Sequence, residues 1–342
     1  MLEAFSMKVD AAHPLSRPPS FVSAEACIAV LDWRDAAERL KAAYSIVHPP
    51  GCSPPRVMAT TPSGALRVMA AAPPDSVLMG AKLFGHGSAR RTNYAILLVE
   101  QVSGQIVAIV DGAVVTAVRT AVTSSLAVDR LCRQARPILA ILGSGTEAQS
   151  HLAAIASLRA VAEVRIYSPT KANREAFAER AERQLSIPAR AFASVEEAVA
   201  GADIVVAAAR SRDETPILMG DWLPAEVVVV SVGSTVPSQR EIDSSVIALS
   251  DLIVCDAIEE VIGETGDMLA AARDGVRFDD KVVSLNDLLS GHCDIAADTG
   301  RRLLFKSVGN GLQDVVVAQL AYEKALARGL TQALPEGFYV KG

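Results

Sequence analysis

The sequence predicts an α/β protein in which a doubly wound parallel sheet is joined to a second, α+β domain built from both chain ends. Three observations carry this. From Pro137 onward, short apolar runs alternate with amphipathic stretches, the pattern of a parallel sheet covered on both faces. Residues 56–115 carry short apolar runs broken by Gly, Pro and Ser, the pattern of an antiparallel sheet. Between them, ILGSGTEAQSHLAAI (141–155) reads as strand, glycine turn and helix, with G-x-G-x-x-A at Gly143, Gly145 and Ala148.

Taken in order, residues 1–22 hold prolines and little periodicity, so an extended lead-in is expected. Residues 24–45 read as one helix, with Trp33, Ala37, Leu40 and Tyr44 at helical spacing. HPPGCSPP (48–55) ends it. RVMAT, GALRVMAAA, SVLMGAKLFG, YAILLVEQ and QIVAIVDG follow as strands, with Ser103-Gly104 marking a hairpin. A helix is expected from about Thr116 to Cys132. Strands are then expected at 138–142, 163–167, near 190, and at 203–208, 226–232 and 252–256. Helices are expected at 146–158, 171–185, 195–200 and near 239–249. VVVVSV (227–232) is apolar enough for burial on both faces. A last helix at 311–328 ends at Gly329, a suitable C-cap, and is expected to pack back on the N-terminal part. The expected division is 1–125 with 310–342 for the substrate domain, and 126–309 for the dinucleotide domain.

The chain has 342 residues, 50% hydrophobic and 21% charged, with net charge −6 and no basic block, which disfavours a nucleic-acid partner. Five widely spaced cysteines without C-x-x-C fit reduced thiols and a cytoplasmic setting, and argue against structural zinc or any other metal site. Neither a secretory signal nor an apolar run long enough for a membrane span is read, so no membrane partner is expected.

The glycine motif has a mechanism. Gly143 permits the tight turn, Gly145 lets backbone approach a pyrophosphate, and Ala148 lets the helix pack on the sheet. The first-turn N–H groups, at Thr146 and Glu147, sit at the positive end of the helix dipole. In an NAD site an acidic residue near the end of the next strand would hold the ribose hydroxyls. Here the tip carries Ser168, Thr170, Lys171 and Arg174 and no carboxylate. Hydroxyls and cations suit a 2′-phosphate, so NADP(H) is favoured, with NAD(H) the other possibility.

Four ordered segments extend the reading: DGAVVTAVRTAVTSSLAVDRL (111–131), ILGSGTEAQ (141–149), VSVGSTVPSQREID (230–243) and FKSVGNGLQD (305–314). Together they resemble the ornithine cyclodeaminase/mu-crystallin family over about residues 24–330. The resemblance implies a Rossmann-type domain, a homodimer formed through the other domain, a nicotinamide cofactor, and amino-acid or imino-acid substrates. It implies that Arg56, Lys82 and Arg119 hold a substrate carboxylate, and that Val232, Gly233 and Ser234 lie at the cofactor. Arg is suited to a two-point grip on a carboxylate. With Thr116 as the expected helix cap, Arg119 and Thr120 would lie in the first turn and add the helix dipole to an anion site that serves either the substrate carboxylate or the cofactor phosphate. Lys82 is also the candidate local acid, and Asp314 the group that orients it.

The sequence departs from the cyclodeaminases of that family. They carry a Glu where this chain has Arg67, and an Asp where it has Thr235. An arginine repels a distal ammonium, and threonine is not a base at neutral pH. Ornithine cyclodeamination is therefore disfavoured. The expected reaction is hydride transfer to a cyclic imino acid such as Δ1-pyrroline-2-carboxylate or Δ1-piperideine-2-carboxylate, giving L-proline or L-pipecolate. Arg90 and Arg91, in KLFGHGSARRTN (82–93), together with Arg67, leave open an opine-type or amino-acid dehydrogenase acting on a larger, more acidic imine. His86 in the same loop is a secondary proton-donor candidate. A dinucleotide-binding protein without turnover is the remaining alternative.

Overall fold

The computed structural model describes residues 18–87, 92–209, 214–293 and 301–338. The chain opens with β1 (Ser20–Val22), then α1 (Ala24–Val30) and α2 (Trp33–Tyr44). The single helix expected over 24–45 is thus two. Ser23 caps the first and Asp32 the second, its side chain accepting the Asp35 N–H at 2.9 Å. The Asp32 carboxylate competes with the helix ladder for nearby N–H groups, and this restarts the helix.

Strands β2 (Val57–Thr61), β3 (Gly64–Ala71), β4 (Leu78–Gly87), β5 (Tyr94–Glu100) and β6 (Ile106–Asp111) form the antiparallel meander that the apolar runs predict. Both chain ends extend it. β1 pairs parallel with β6, and β15 (Gln332–Ala333) pairs antiparallel with β1. The order is β15-β1-β6-β5-β4-β3-β2. The lead-in therefore contributes a strand that no alternation announced; three residues are too few for a periodic signal.

Helix α3 (Gly112–Leu131) leaves the meander and runs through the boundary expected at 125. Then come β7 (Ile138–Leu142), α4 (Thr146–Leu158), β8 (Glu163–Tyr167), α5 (Lys171–Leu185), β9 (Ala189–Ala191), α6 (Val195–Val199), β10 (Ile204–Ala207), β11 (Val227–Ser231), α7 (Ser244–Leu249) and β12 (Leu252–Cys255). The stretch 256–310, for which the sequence gives only the FKSVGNGLQD motif, holds α8 (Ile258–Glu264), α9 (Gly266–Arg273), β13 (Val282–Ser284), α10 (Leu285–Ser290) and β14 (Arg302–Lys306). The parallel sheet has order β13-β12-β14-β11-β10-β7-β8-β9. Its order reverses at β7, which lies between β8 and β10. That switch point is where a ligand settles at the carboxyl ends of the strands.

Helix α11 (Gly311–Ala327) returns to the meander, packing on β3 and β4 and on α3. It ends in a Schellman motif: Leu330 N–H reaches Ala325 O at 2.9 Å, Gly329 N–H reaches Leu326 O at 3.1 Å, and Gly329 has φ +66°. One apolar core joins this region to the parallel sheet, running from Val22 and Ile96 through Val122 to Ile141 and Phe305.

The meander has two unlike faces. One packs against α3 and α11 and bears Met69, Lys82 and Ile96 at matched register. The other, over β2 to β5, bears Val57, Leu66, Val68, Leu83 and Leu97 and no charged residue. Val57 is 68% and Leu66 47% exposed. Among the described residues, no helix is long and apolar enough to cross a membrane, and no group of His, Cys, Asp and Glu is placed to hold a metal ion.

Candidate active site

The glycine turn lies at the carboxyl end of β7. Gly143 has φ +128°, and a Cβ there would stand 2.7 Å from Ala208 O. Only glycine fits that backbone. Gly145 caps α4 with open space around its Cα and no side-chain cap, so the first N–H groups of the helix, from Thr146 and Glu147, remain available. Ala148 is fully buried beneath. Ala208, Val232 and Gly233 follow the neighbouring strands β10 and β11 and line the same cleft. This turn, its uncapped helix and the glycine-lined approach fit a dinucleotide pyrophosphate.

The tip beyond β8 is polar and lacks a carboxylate. Ser168 is buried and its hydroxyl accepts from Ser144 Oγ at 3.1 Å. Thr170 caps α5 without a side-chain bond of its own. Arg174 Nη1 donates to Ser168 O at 3.0 Å, while Lys171 is 75% exposed and 3.8 Å from Glu175.

Between the two sheets lies a cleft of about 170 Å³, room for a small molecule. Arg56, Arg67, Lys82, Arg119, Thr120 and Thr235 all line it, drawn from β3, β4, α3 and loops. Arg90 and Arg91 lie outside the described residues.

The centre is a buried ion triad. Lys82 Nζ stands 2.7 Å from Asp314 Oδ2, and Arg119 Nε donates to Asp314 Oδ1 at 3.0 Å. One carboxylate thus serves two cations. Burial pushes the Lys82 ammonium down to about 8, against Asp314, whose charge and hydrogen bond hold it up; Arg119 and Arg56 push it further down. The ammonium also sits 5.4 Å from the Phe84 ring centroid and 5.7 Å from that of Tyr94.

Two expectations need correction. Thr116 does not cap the helix and Arg119 is not in its first turn. The cap is Asp111, whose carboxylate accepts the Ala113 N–H at 2.9 Å, so the helix starts at Gly112. The aspartate ending β6 provides a stronger charged acceptor at the turn than a threonine further on. Arg119 and Thr120 therefore gain nothing from the α3 dipole. Arg119 is instead fixed by Asp314 and by Gln313 Oε1 at 3.0 Å, both on the first turn of α11. Thr116 Oγ1 is left buried without a partner and faces the cleft; Thr120 Oγ1 donates to Thr116 O at 2.7 Å.

Behind Arg119 stands a network that the sequence reading did not assign. Asp256 accepts from Ser307 Oγ (2.6 Å), Val308 N (3.0 Å), Gly309 N (2.9 Å) and Gln313 Nε2 (3.0 Å). Tyr44 OH accepts from Asn310 and Gln313 at 3.2 and 3.1 Å. Gly309 has φ +77°, and a side chain there would fall on the Arg119 guanidinium. The signal was present in FKSVGNGLQD, where glycine and amide residues cluster at a helix start.

Arg56 is differently placed. Its Nε and Nη2 donate to Glu264 Oε2 at 2.9 and 2.5 Å, and Nη2 also reaches Thr235 O at 3.3 Å. Its backbone N–H donates to Glu260 Oε1 at 2.5 Å. Arg67 leans over Phe84 at 6.0 Å, and its Nε meets Met58 Sδ at 3.4 Å. His86 Nδ1 is 3.0 Å from Thr92 Oγ1, with its ring edge-on to Phe84.

The Val232–Thr235 loop is held from below. Glu241 Oε2 accepts from Gly233 N at 2.8 Å and from Ser231 Oγ at 3.1 Å. Ser234 Oγ donates to Gln239 O at 2.5 Å. Lys306 Nζ, fully buried, reaches Ser234 O at 3.0 Å and Asp267 Oδ2 at 2.9 Å. Desolvation pushes the Glu241 carboxyl up to about 8 even beside Lys306. The loop thus rests on buried charge.

Known proteins resemble this chain along most of its length. The sequence profile of the ornithine cyclodeaminase/mu-crystallin family matches residues 33–329. The ketimine reductase mu-crystallin of Mus musculus is 32% identical over 233 residues, 67% of this chain and 68% of that protein. A Δ1-pyrroline-2-carboxylate reductase of Bacillus cereus is 30% identical over 243 residues, 71% of this chain and 74% of that one. The structure of Thermococcus litoralis Δ1-pyrroline-2-carboxylate reductase in complex with NADH and L-proline superposes with a TM-score of 0.85 at 26% identity, covering 92% of this chain and all of that one. The profile spans the glycine turn, the cation cleft and α11 together: this chain belongs to the ornithine cyclodeaminase/mu-crystallin family.

Proposed function

We propose that this chain is a nicotinamide-dependent oxidoreductase acting on C=N bonds. Its substrates are small cyclic imino acids, Δ1-pyrroline-2-carboxylate and Δ1-piperideine-2-carboxylate, reduced to L-proline and L-pipecolate. The reaction class is that of the named relatives. The observation that carries the finer reading is the Lys82–Asp314–Arg119 triad, which presents two buried cations against one carboxylate. The surplus positive charge, in a desolvated cleft, favours an anion, and the substrate carboxylate supplies it.

When bound, the nicotinamide would supply the hydride that reduces the imine carbon, and Gly143, Gly145 and the α4 N-terminus would hold its pyrophosphate. Arg119 and Lys82 fix the substrate carboxylate, and with it the imine carbon, beneath the Val232–Thr235 loop. Gln313 and Asp314 hold Arg119 at two points, so its guanidinium is set before substrate arrives. Lys82, protonated below about pH 8, is the local acid that keeps a proton at the imine nitrogen. Cyclodeamination lacks its parts here, since Arg67 and Thr235 offer no carboxylate for a distal ammonium or for proton abstraction.

NADP(H) is the favoured cofactor because the β8 tip offers Thr170, Lys171 and Arg174 and no acid for a ribose 2′-hydroxyl. A homodimer is supported by the uncharged β2–β5 face, on which Val57 and Leu66 stand exposed to water. The test is NADPH consumption on Δ1-pyrroline-2-carboxylate, with NADH and Lys82→Ala in parallel. Expected are turnover, faster with NADPH, and loss of roughly a hundred-fold or more in the variant. NADPH binding without turnover on either imine would refute the reductase reading.

A further inference from the structure

We infer that the preferred substrate carries a second carboxylate, bound by Arg67, which shares the cleft and the Phe84 ring with Lys82. This rests on the proposed imine reduction and sharpens it to a class: 2-imino acids that are dianionic.

The register of β3 against β4 pairs Arg67 with Phe84 and Met69 with Lys82. Arg67 therefore projects from the same face as Lys82 and lines the same cleft. Its guanidinium lies 6.0 Å from the Phe84 centroid, and the Lys82 ammonium lies 5.4 Å from that same centroid. Both cations thus border one aromatic ring on the same face of the sheet, close enough for a small dicarboxylate to reach both. Met69, Phe84 and Tyr94, which line the same cleft, are uncharged and suit a hydrocarbon spacer.

The two cations differ in what they already hold. Lys82 shares Asp314 with Arg119. Among the described residues Arg67 has no carboxylate paired with it, and its Nε meets only a thioether, a weak acceptor. The charges of Glu264 and Glu260 reach Arg67, but Glu264 is held by the Arg56 guanidinium at two donor atoms and Glu260 by the Arg56 backbone N–H. Desolvation and the nearby Arg56 both disfavour the charge on Arg67. A planar fork beside a second cation is matched by a carboxylate taking two parallel hydrogen bonds. At the position where a carboxylate would hold a distal ammonium, this chain thus offers a cation.

The test uses a matched pair: Δ1-piperideine-2-carboxylate and Δ1-piperideine-2,6-dicarboxylate, each with NADPH, on the full-length enzyme. Expected is a wild-type preference for the dicarboxylate of about ten-fold or more in kcat/KM, the scale of a charge-assisted contact. Arg67→Met should lower the ratio of dicarboxylate to monocarboxylate kcat/KM by about ten- to hundred-fold, mostly through KM, and Arg67→Lys should restore part of it. Turnover of both imines with a ratio that Arg67→Met leaves unmoved would overturn the inference alone. Turnover of neither would overturn the reductase reading and the inference with it.

Discussion

Asp314→Asn is the sharpest perturbation of this site. The side chain keeps its shape and loses its charge, leaving Lys82 and Arg119 buried without a counter-ion at 2.7 and 3.0 Å. Removing one partner of a buried ion pair costs roughly 3–5 kcal/mol of stability. The second consequence is catalytic. Lys82 titrates near 8, so at neutral pH about ten molecules are protonated for each that is not. Asp314 is the group that holds this value up. Without it the value falls, and each unit, about 1.4 kcal/mol, moves the ratio ten-fold toward the neutral amine. The kcat/KM profile reports the free enzyme, so its alkaline limb should move from near pH 8 to about pH 7 or below. The sign for stability follows from the same shift. Lys82 in the folded chain titrates below its ordinary 10.5, so stability rises with pH through the window from about 8 to 10.5, and the variant extends that window downward. Urea unfolding and pH–rate profiles on one substrate, wild type against variant, read both effects. Adding Lys82→Met to the variant should return part of the lost stability, because an absent pair costs less than a broken one. An alkaline limb that stays near 8 in Asp314→Asn, or a stability loss under about 1 kcal/mol, would refute the shared-carboxylate account.

Three further outcomes are expected. Gly143→Ala, with φ +128° and a Cβ 2.7 Å from Ala208 O, should destabilise the fold by about 1–3 kcal/mol and weaken NADPH binding roughly ten-fold or more; titration of cofactor fluorescence that finds unchanged affinity would count against the pyrophosphate site. Glu241 titrates near 8 in the folded chain and at 4.5 ordinarily, so the folded state binds the extra proton and stability falls as pH rises from about 4.5 through 8. Glu241→Gln should flatten that fall, read as urea midpoints at pH values on either side of the window; an equal slope in both proteins would place the titration elsewhere. Leu97→Glu, on the uncharged face of the meander, should yield monomers in sedimentation, whereas an unchanged assembly would show that this face is not the contact between copies.

Long, strongly patterned elements were legible in the sequence because their signals are local. The βαβ run from β7 to β12 follows from apolar periodicity, and the glycine turn follows from φ values that only glycine adopts. The resemblance located Arg56, Lys82 and Arg119, and the structure brings all three to one cleft with Arg67 and Thr235. What escaped was short or non-local. Strand β1 has three residues and β14 enters the middle of the sheet from beyond a run of short helices, so neither has a pattern of its own. The start of α3 was misplaced because a strand and a helix meet at Asp111 with no intervening turn residues.

The sequence by itself determined the fold class, the place of the glycine turn and the list of cations, since each depends on residue type and near spacing. Only the tertiary structure decided how those cations are partnered. Asp314 lies 195 residues from Arg119 along the chain yet binds both it and Lys82, and Glu264 lies 208 residues from the Arg56 it holds. Which charges are satisfied and which remain for a ligand depends on distance and desolvation, and both are set by how β3, β4, α3, α8 and α11 converge, a matter of packing across the whole chain.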